Sequence, residues 1–239
     1  MSDEVASRLE RLAERFALPS QAPAALERLL GLIAADPRAP TAIRQAAGAV
    51  DAHVADALVA LELDAVATAR QIADLGSGAG FPGLVLAVAL PAACVSLVES
   101  NQRKCEFLER AVVQMGLDNA RAVPERVEAW REGLRRCDLV TARALAPLNV
   151  LVEYAAPLLR PQGALVAWKG RRDETEEADG AAAAAATGLE PVTVYPVRPW
   201  SGAQNRHLHL YLKVGSTPNE YPRRPGMATK RPLRASTPA

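Results

Sequence analysis

Two hydrophobic periods divide the chain. From about residue 3 to 64, apolar side chains recur at helical spacing: Val5, Leu9, Leu12 and Phe16, then Leu26, Leu29, Leu30 and Ile33. Pro19, Pro23, Pro37 and Pro40 punctuate this region, and a further helical run covers Ile43 to Leu63. From residue 70 short apolar runs alternate with helical segments. The runs predict strands at Gln71–Leu75, Ala93–Val98, Ala120–Pro124, Cys137–Ala142 and Gly163–Trp168. Between them lie helices at Leu84–Leu90, Gln102–Met115 and Leu148–Leu159, with a short one near Val127–Trp130. Asp173 to Thr187 is acidic and then alanine-rich, and reads as a solvated helix. Glu190–Val197 and Arg206–Val214 predict a closing antiparallel pair of strands.

Strand–helix alternation of this kind builds an α/β, Rossmann-like fold: a mostly parallel seven-stranded sheet with helices on both faces, here preceded by an N-terminal helical extension. Right-handed crossovers put the strand C-termini on one rim, where ligands bind. The expected division is 1–66 for the helical region, 67–214 for the Rossmann-like domain and 215–239 for a basic, partly flexible tail.

Composition changes this picture little. At 239 residues the chain suits one sizeable domain plus an extension, and 4% aromatic residues imply a core of Ala, Leu and Val. A net charge of +1 gives no global pull toward nucleic acid, so any such role needs a local basic patch. Cys94, Cys105 and Cys137 have no metal-ligand spacing, so no metal is expected, and they read as buried apolar thiols in a reducing compartment. With no signal-peptide pattern and no long apolar stretch, the expectation is a cytoplasmic protein, monomeric and without membrane contact.

The candidate chemistry sits at Asp74-Leu-Gly-Ser-Gly-Ala-Gly-Phe-Pro-Gly83, between the first strand and its helix. Glycines there let the backbone turn tightly and approach a ligand closely. Glu99 ends the next strand, placed to accept from ribose hydroxyls. Gly76, Ser77, Gly78 and Glu99 are therefore candidate contacts to an adenosine-containing cofactor. Gly78-Ala-Gly80-Phe-Pro-Gly83 also fits a dehydrogenase dinucleotide motif. Three features favour S-adenosylmethionine over a dinucleotide. Asp74 would crowd a pyrophosphate but not a cationic methionine moiety. Pro82 removes one donor from the helix N-terminus. Leu158-Leu-Arg-Pro-Gln-Gly163 resembles the turn before the fifth strand of class I methyltransferases.

The acceptor should lie at the end of the fourth strand. Thr141-Ala-Arg-Ala-Leu-Ala-Pro147 is not the Asn/Asp-Pro-Pro-aromatic turn of amino-group methyltransferases. Cys94 and Cys137 begin their strands, on the wrong rim for a cytosine C5 nucleophile. A substrate atom with its own lone pair, such as guanine N7, needs neither device and no general base; orientation alone can supply roughly 7–11 kcal/mol. The tail Tyr221–Arg234 carries five basic residues and no acid, and Lys169-Gly-Arg-Arg172 adds a cluster on the ligand rim. Two competing readings are an RNA-binding module without catalysis and a methyltransferase for a small molecule or protein. The intact loop, Glu99 and Arg143 weigh against the first, the basic tail against the second.

Together these pieces resemble the ribosomal RNA small-subunit methyltransferase G family, also called glucose-inhibited division protein B. The resemblance rests on His53-Val-Ala-Asp56-Ala-Leu, the glycine loop, Glu99-Ser-Asn-Gln-Arg-Lys104, Arg126-Val-Glu128, Thr141-Ala-Arg-Ala144, Trp168-Lys-Gly170, Arg206-His-Leu208 and Tyr221-Pro-Arg-Arg-Pro-Gly226, across about residues 50 to 233. It implies methyl transfer from S-adenosylmethionine to N7 of one guanine in the 530 loop of bacterial 16S rRNA, with the rRNA or small ribosomal subunit as partner. By motif position it places cofactor contacts on Gly76, Phe81, Val127, Glu128 and Arg143. Glu125 rivals Glu128 as the acid beside the adenine, and a salt bridge across the rim is the alternative role for Arg143. Lys169, Arg206, Arg223, Arg224 and Lys230 are candidate RNA phosphate contacts. His53 and Asp56, one turn apart, read as packing residues that seat the N-terminal helices against the rim. The chain departs from the family at Leu32–Thr41, which lacks the Trp-Asn…Asn-Leu-Thr stretch of many members.

Overall fold

A computed structural model describes residues 2–235. The last four residues of the tail lie outside the described residues. The N-terminal helices are α1 (Asp3–Arg15) and α2 (Ala22–Ala35). The predicted Ile43–Leu63 helix is a broken one. It runs from α3 (Ala46–Ala49) through a π-helical turn (Val50–Ala55) into α4 (Asp56–Leu58) and a 3-10 turn (Val59–Glu62), with α5 (Asp64–Ala67) leading into the sheet. Apolar spacing alone does not distinguish these windings.

The strands are β1 (Gln71–Leu75), β2 (Cys94–Val98), β3 (Ala120–Val123), β4 (Cys137–Arg143), β5 (Leu159–Lys169), β6 (Leu189–Pro196) and β7 (His207–Lys213). Their order is β3-β2-β1-β4-β5-β7-β6. The first five are parallel, and β7 runs antiparallel to both β5 and β6. Connecting helices are α6 (Gly83–Ala89), α7 (Gln102–Met115), α8 (Leu148–Ala155) and α9 (Glu174–Thr187), with α10 (Met227–Lys230) in the tail. Strand β5 starts earlier than the apolar run because Leu159 already pairs with Cys137, after which the register shifts until Ala164 meets Leu139.

Strand parity sorts the two faces. Ile72, Leu97, Leu139 and Val166 pack with α1, α2, α6 and α7, whereas Ala73, Val98, Val140 and Leu165 pack with α8 and α9. The N-terminal helices thus share one core with the sheet: Leu9, Leu29 and Ile33 are fully buried in the same cluster as Leu97. Helix α9 is not solvated all round. Gly180, Ala183, Ala184 and Thr187 are buried, and a Cβ at Gly180 would stand 2.7 Å from the Tyr211 hydroxyl. Small residues allow that close approach, which the charged first turn obscures. No helix among the described residues is long and apolar enough to cross a membrane.

The order reverses between β1 and β4, so their C-terminal ends open a crevice at a topological switch point. A shared core predicts cooperative unfolding. Leu29→Ala should cost about 2–5 kcal/mol, with far-ultraviolet circular dichroism and tryptophan fluorescence reporting one coincident transition in urea. Separate transitions would contradict a common core.

Candidate functional site

The glycine loop forms the floor of the crevice. Gly76 has φ 65°, and a Cβ there would stand 2.6 Å from Leu145 Cδ1. Gly83 starts α6 where a Cβ would stand 2.4 Å from Leu97 and 2.8 Å from Asp74 Oδ2. Bare backbone is thus required both at the rim and where helix meets sheet. Asp74 is fully buried: Oδ1 accepts from the Thr141 hydroxyl (2.8 Å) and Oδ2 from Gly83 N–H (3.2 Å). Burial raises its pKa to about 6 despite those donors. Asp74 therefore pins the loop from beneath rather than facing a ligand's ammonium group, which corrects that part of the cofactor argument. The Ser77 hydroxyl likewise points inward and donates to Asp74 O at 2.8 Å.

Glu99 stands at the end of β2, 6% exposed. Oε2 accepts from Gly78 N–H (3.2 Å) and Oε1 from Asn101 N–H (2.9 Å), with Lys104 Nζ 3.8 Å away. One backbone donor per oxygen leaves lone pairs for further hydroxyl groups. A cavity of about 360 Å³ lies against it, bounded by Gly76, Glu99, Glu125, Val127, Glu128 and Tyr154. That volume is in the range of small-ligand sites. An acid able to take vicinal hydroxyls beside the bare backbone of Gly76 fits the ribose of an adenosine group.

Not every candidate faces this cavity. The Phe81 ring stacks on His53, with centroids 4.4 Å apart, and lies 5.4 Å from the Arg143 guanidinium. Glu128 Oε1 accepts from Gly226 N–H in the tail at 2.7 Å, so that oxygen is already engaged. Glu125 lines the same cavity, exposed, with no side-chain hydrogen bond among the described residues.

Arg143 ends β4 on the face of the N-terminal helices. Nη1 donates to Ala52 O and to Asp56 Oδ2, each at 3.0 Å, and Nη2 lies 3.2 Å from His53 Nδ1. The rim salt bridge is therefore the arrangement present. His53 Nε2 pairs with the Thr41 hydroxyl at 2.8 Å. Burial first, and Arg143 second, lower the His53 pKa to about 4, so it stays neutral at pH 7. Trp168, register partner of Arg143, donates its indole N–H to Asp56 O at 2.7 Å. The sequence showed His53 and Asp56 on one helix face, but not that Arg143 and Trp168 meet them from two strands.

The basic candidates separate into held and free. Lys169 Nζ lies 2.5 Å from Glu176 and donates to Ala146 O. Arg223 forks onto the buried Glu153 and also donates to Arg231 O, so its guanidinium is engaged within the protein. Arg206 lies over the Trp200 ring, 3.8 Å from Asp56 Oδ1. Arg224 and Lys230 are exposed and make no ion pair among the described residues. The described tail is docked: besides Gly226 and Arg223, Leu233 O accepts from Asn149 and Ala235 N–H donates to Asp179. Single-residue composition could not show those long-range partners. The described residues hold no cluster of three or more His, Cys, Asp or Glu suited to a metal.

Sheet order, glycine loop and acid at the end of β2 define the Rossmann-like fold of the S-adenosylmethionine-dependent methyltransferases. An antibiotic-resistance methyltransferase, Kmr, superposes with a TM-score of 0.52 at 20% identity over 62% of this chain and 88% of its own. The family model for rRNA small subunit methyltransferase G matches residues 38–208. Ribosomal RNA small subunit methyltransferase G of Rubrobacter xylanophilus is 43% identical over 188 residues, covering 76% of this chain and 72% of the relative. That of Chloroflexus aggregans is 40% identical over 184 residues, 76% of each chain. The chain belongs to the rRNA small subunit methyltransferase G family.

The depressed pKa of His53 has a testable sign. The unfolded chain takes up the proton near pH 6.5 and the folded chain near 4, so this group's contribution to stability is lost as pH falls through that window. Asp74 acts in the opposite sense between pH 6 and 4, but equally in wild type and a His53 variant. The stability advantage of wild type over His53→Gln in urea should therefore shrink from pH 7 to pH 5; a constant or growing advantage would contradict the assignment.

Proposed function

We propose that this chain transfers the methyl group of S-adenosylmethionine to N7 of one guanine in the 530 loop of bacterial 16S rRNA, on rRNA or the small ribosomal subunit. The observation that carries this reading is the end of β4. In place of the Asn/Asp-Pro-Pro-aromatic turn that orients an amine, the chain ends β4 with Arg143, a permanent cation held by Asp56 and Ala52 O. The neighbouring imidazole, His53, is neutral with both nitrogens engaged. Cys105 is buried with its thiol on Glu99 O, and Cys137 is buried with its pKa pushed up to about 12; Cys94 is exposed rather than buried as expected, at the start of β2 and so away from the strand C-termini. Guanine N7 already carries a lone pair and loses no proton on alkylation, so it asks nothing of these groups.

When bound, the cofactor supplies an electrophilic methyl on a sulfonium. Glu99 would hold its ribose hydroxyls, the backbone of Gly76 and Gly78 would pass beneath it, and Val127 with Glu125 or Glu128 would border its adenine. Residues of this chain then orient and exclude water; positioning of the acceptor supplies the rate. Arg224 and Lys230, exposed on the docked tail, would meet RNA phosphates.

The direct test is transfer of labelled methyl to naked 16S rRNA and to small subunits from a strain lacking the modification. Label in a single N7-methylguanine of the 530 loop is expected. No label on either acceptor, with cofactor binding demonstrated, or label on another nucleotide, would overturn the reading. Glu99→Ala should weaken cofactor binding about ten- to a hundredfold by calorimetry, as loss of charge-assisted hydrogen bonds does. Arg224→Gln and Lys230→Gln should each flatten the log–log salt dependence of RNA affinity by about 0.7; unchanged slopes would remove the tail from the interface.

A further inference from the structure

A second cavity, of about 260 Å³, adjoins the first at Ala144. It opens between the ends of β4 and β5 and the N-terminal region, lined by Asp56, Arg143, Trp168, Lys169 and Arg206. The carboxylate of Asp56 is 2% exposed, and only one of its oxygens is satisfied. Oδ1 has no hydrogen-bond partner. Arg206 Nε lies 3.8 Å from it, beyond hydrogen-bond reach. A buried carboxylate oxygen without a donor is costly, and such an orphan beside a cavity calls for a ligand that brings the donor.

We propose that this cavity receives the target base and that Asp56 Oδ1 selects guanine by accepting from its N1–H and exocyclic amino group. The inference rests on the reading of guanine as the methyl acceptor and deepens it by naming the specificity-determining group. A carboxylate oxygen flanked by guanidinium groups suits two adjacent donors with an acceptor beside them. The Watson–Crick edge of guanine presents that set: the amino group, N1–H and O6. Adenine would turn the N1 lone pair toward the carboxylate. Cytosine would turn N3 toward it, and uracil offers a single N–H between two carbonyls.

Reading that edge leaves N7 unengaged on the neighbouring Hoogsteen edge, free to face the adjoining cavity. Arg206 is the movable part. Its side chain is 40% exposed and rests over Trp200, so it shields Oδ1 in the free chain and can shift to donate to O6 as the base enters. Asp56 itself cannot move: Arg143 holds Oδ2, and the Trp168 indole holds its backbone carbonyl.

The test uses 16S rRNA carrying guanosine, 7-deazaguanosine or inosine at the target position, as naked rRNA and as reconstituted small subunits, with wild type and Asp56→Asn. Equilibrium RNA affinity is measured beside kcat and KM. Inosine keeps N7, N1–H and O6 but lacks the amino group. Wild type is expected to lose about tenfold or more in kcat/KM on inosine, the discrimination typical of a base-edge contact. Weaker RNA binding should accompany that loss. In Asp56→Asn the preference for guanosine over inosine should collapse toward unity, whereas a purely structural role would lower both equally. Wild type that methylates inosine and guanosine equally well overturns the inference while leaving the N7 reading intact, and this comparison needs no variant to fold. An Asp56→Asn protein that keeps the full preference overturns it too. Methylation of 7-deazaguanosine, or none of guanosine, overturns the functional reading and this inference with it.

Discussion

The buried ion pair between Arg143 and Asp56 is the interaction on which the site depends. Strand parity puts Arg143 on the face that meets the N-terminal helices, and the chain before β1 supplies its partners: Ala52 O, His53 and Asp56. Removing one member of such a pair strands a buried charge, at a cost of roughly 3–5 kcal/mol. Exposed pairs such as Arg121–Glu132 contribute about 1 kcal/mol or less. The magnitudes decide which contact organises the rim. The N-terminal region is thus part of the site, because without it the end of β4 would present an unpaired cation.

The sheet was legible because parallel strands buried on both faces are continuous apolar runs bounded by turn residues. Gln71–Leu75 and Gln102–Met115 appear as the spacing predicts. Asn101 and Gly116 mark the ends of α7: the first accepts from Lys104 N–H, and the second adopts the left-handed conformation. The interior of Ile43–Leu63 was not legible. Its hydrophobic stripe is compatible with α, π and 3-10 windings, and tertiary contacts of His53 and Asp56 with β4 and β5 accompany the change. The extra length of β5 was hidden for a different reason, since Arg160-Pro-Gln-Gly163 is polar and belongs to the sheet only through its flanks.

At the site, sequence could point to residue types but not to what each side chain already holds. Gly76 and Glu99 stand where the motif suggests. Asp74, Ser77 and Phe81 belong to the same loop region, yet their side chains turn into the protein. Arg223 reads as one more cation in a basic tail, and only the fold reveals Glu153 beneath it. The same blindness covers the Glu128–Gly226 hydrogen bond, which joins residues far apart in the chain. An orphan oxygen on Asp56 has no sequence signature at all.

In the proposed reaction the acceptor brings its own lone pair, and no group of the protein has to take up a proton. Single-turnover methyl transfer to rRNA, measured with saturating cofactor and enzyme from pH 6.5 to 8.5, tests it most directly. A rate constant independent of pH is the predicted result. A rate that rises tenfold per pH unit before reaching a plateau would reveal a group that must lose its proton, and would rule out transfer to a ready-made lone pair.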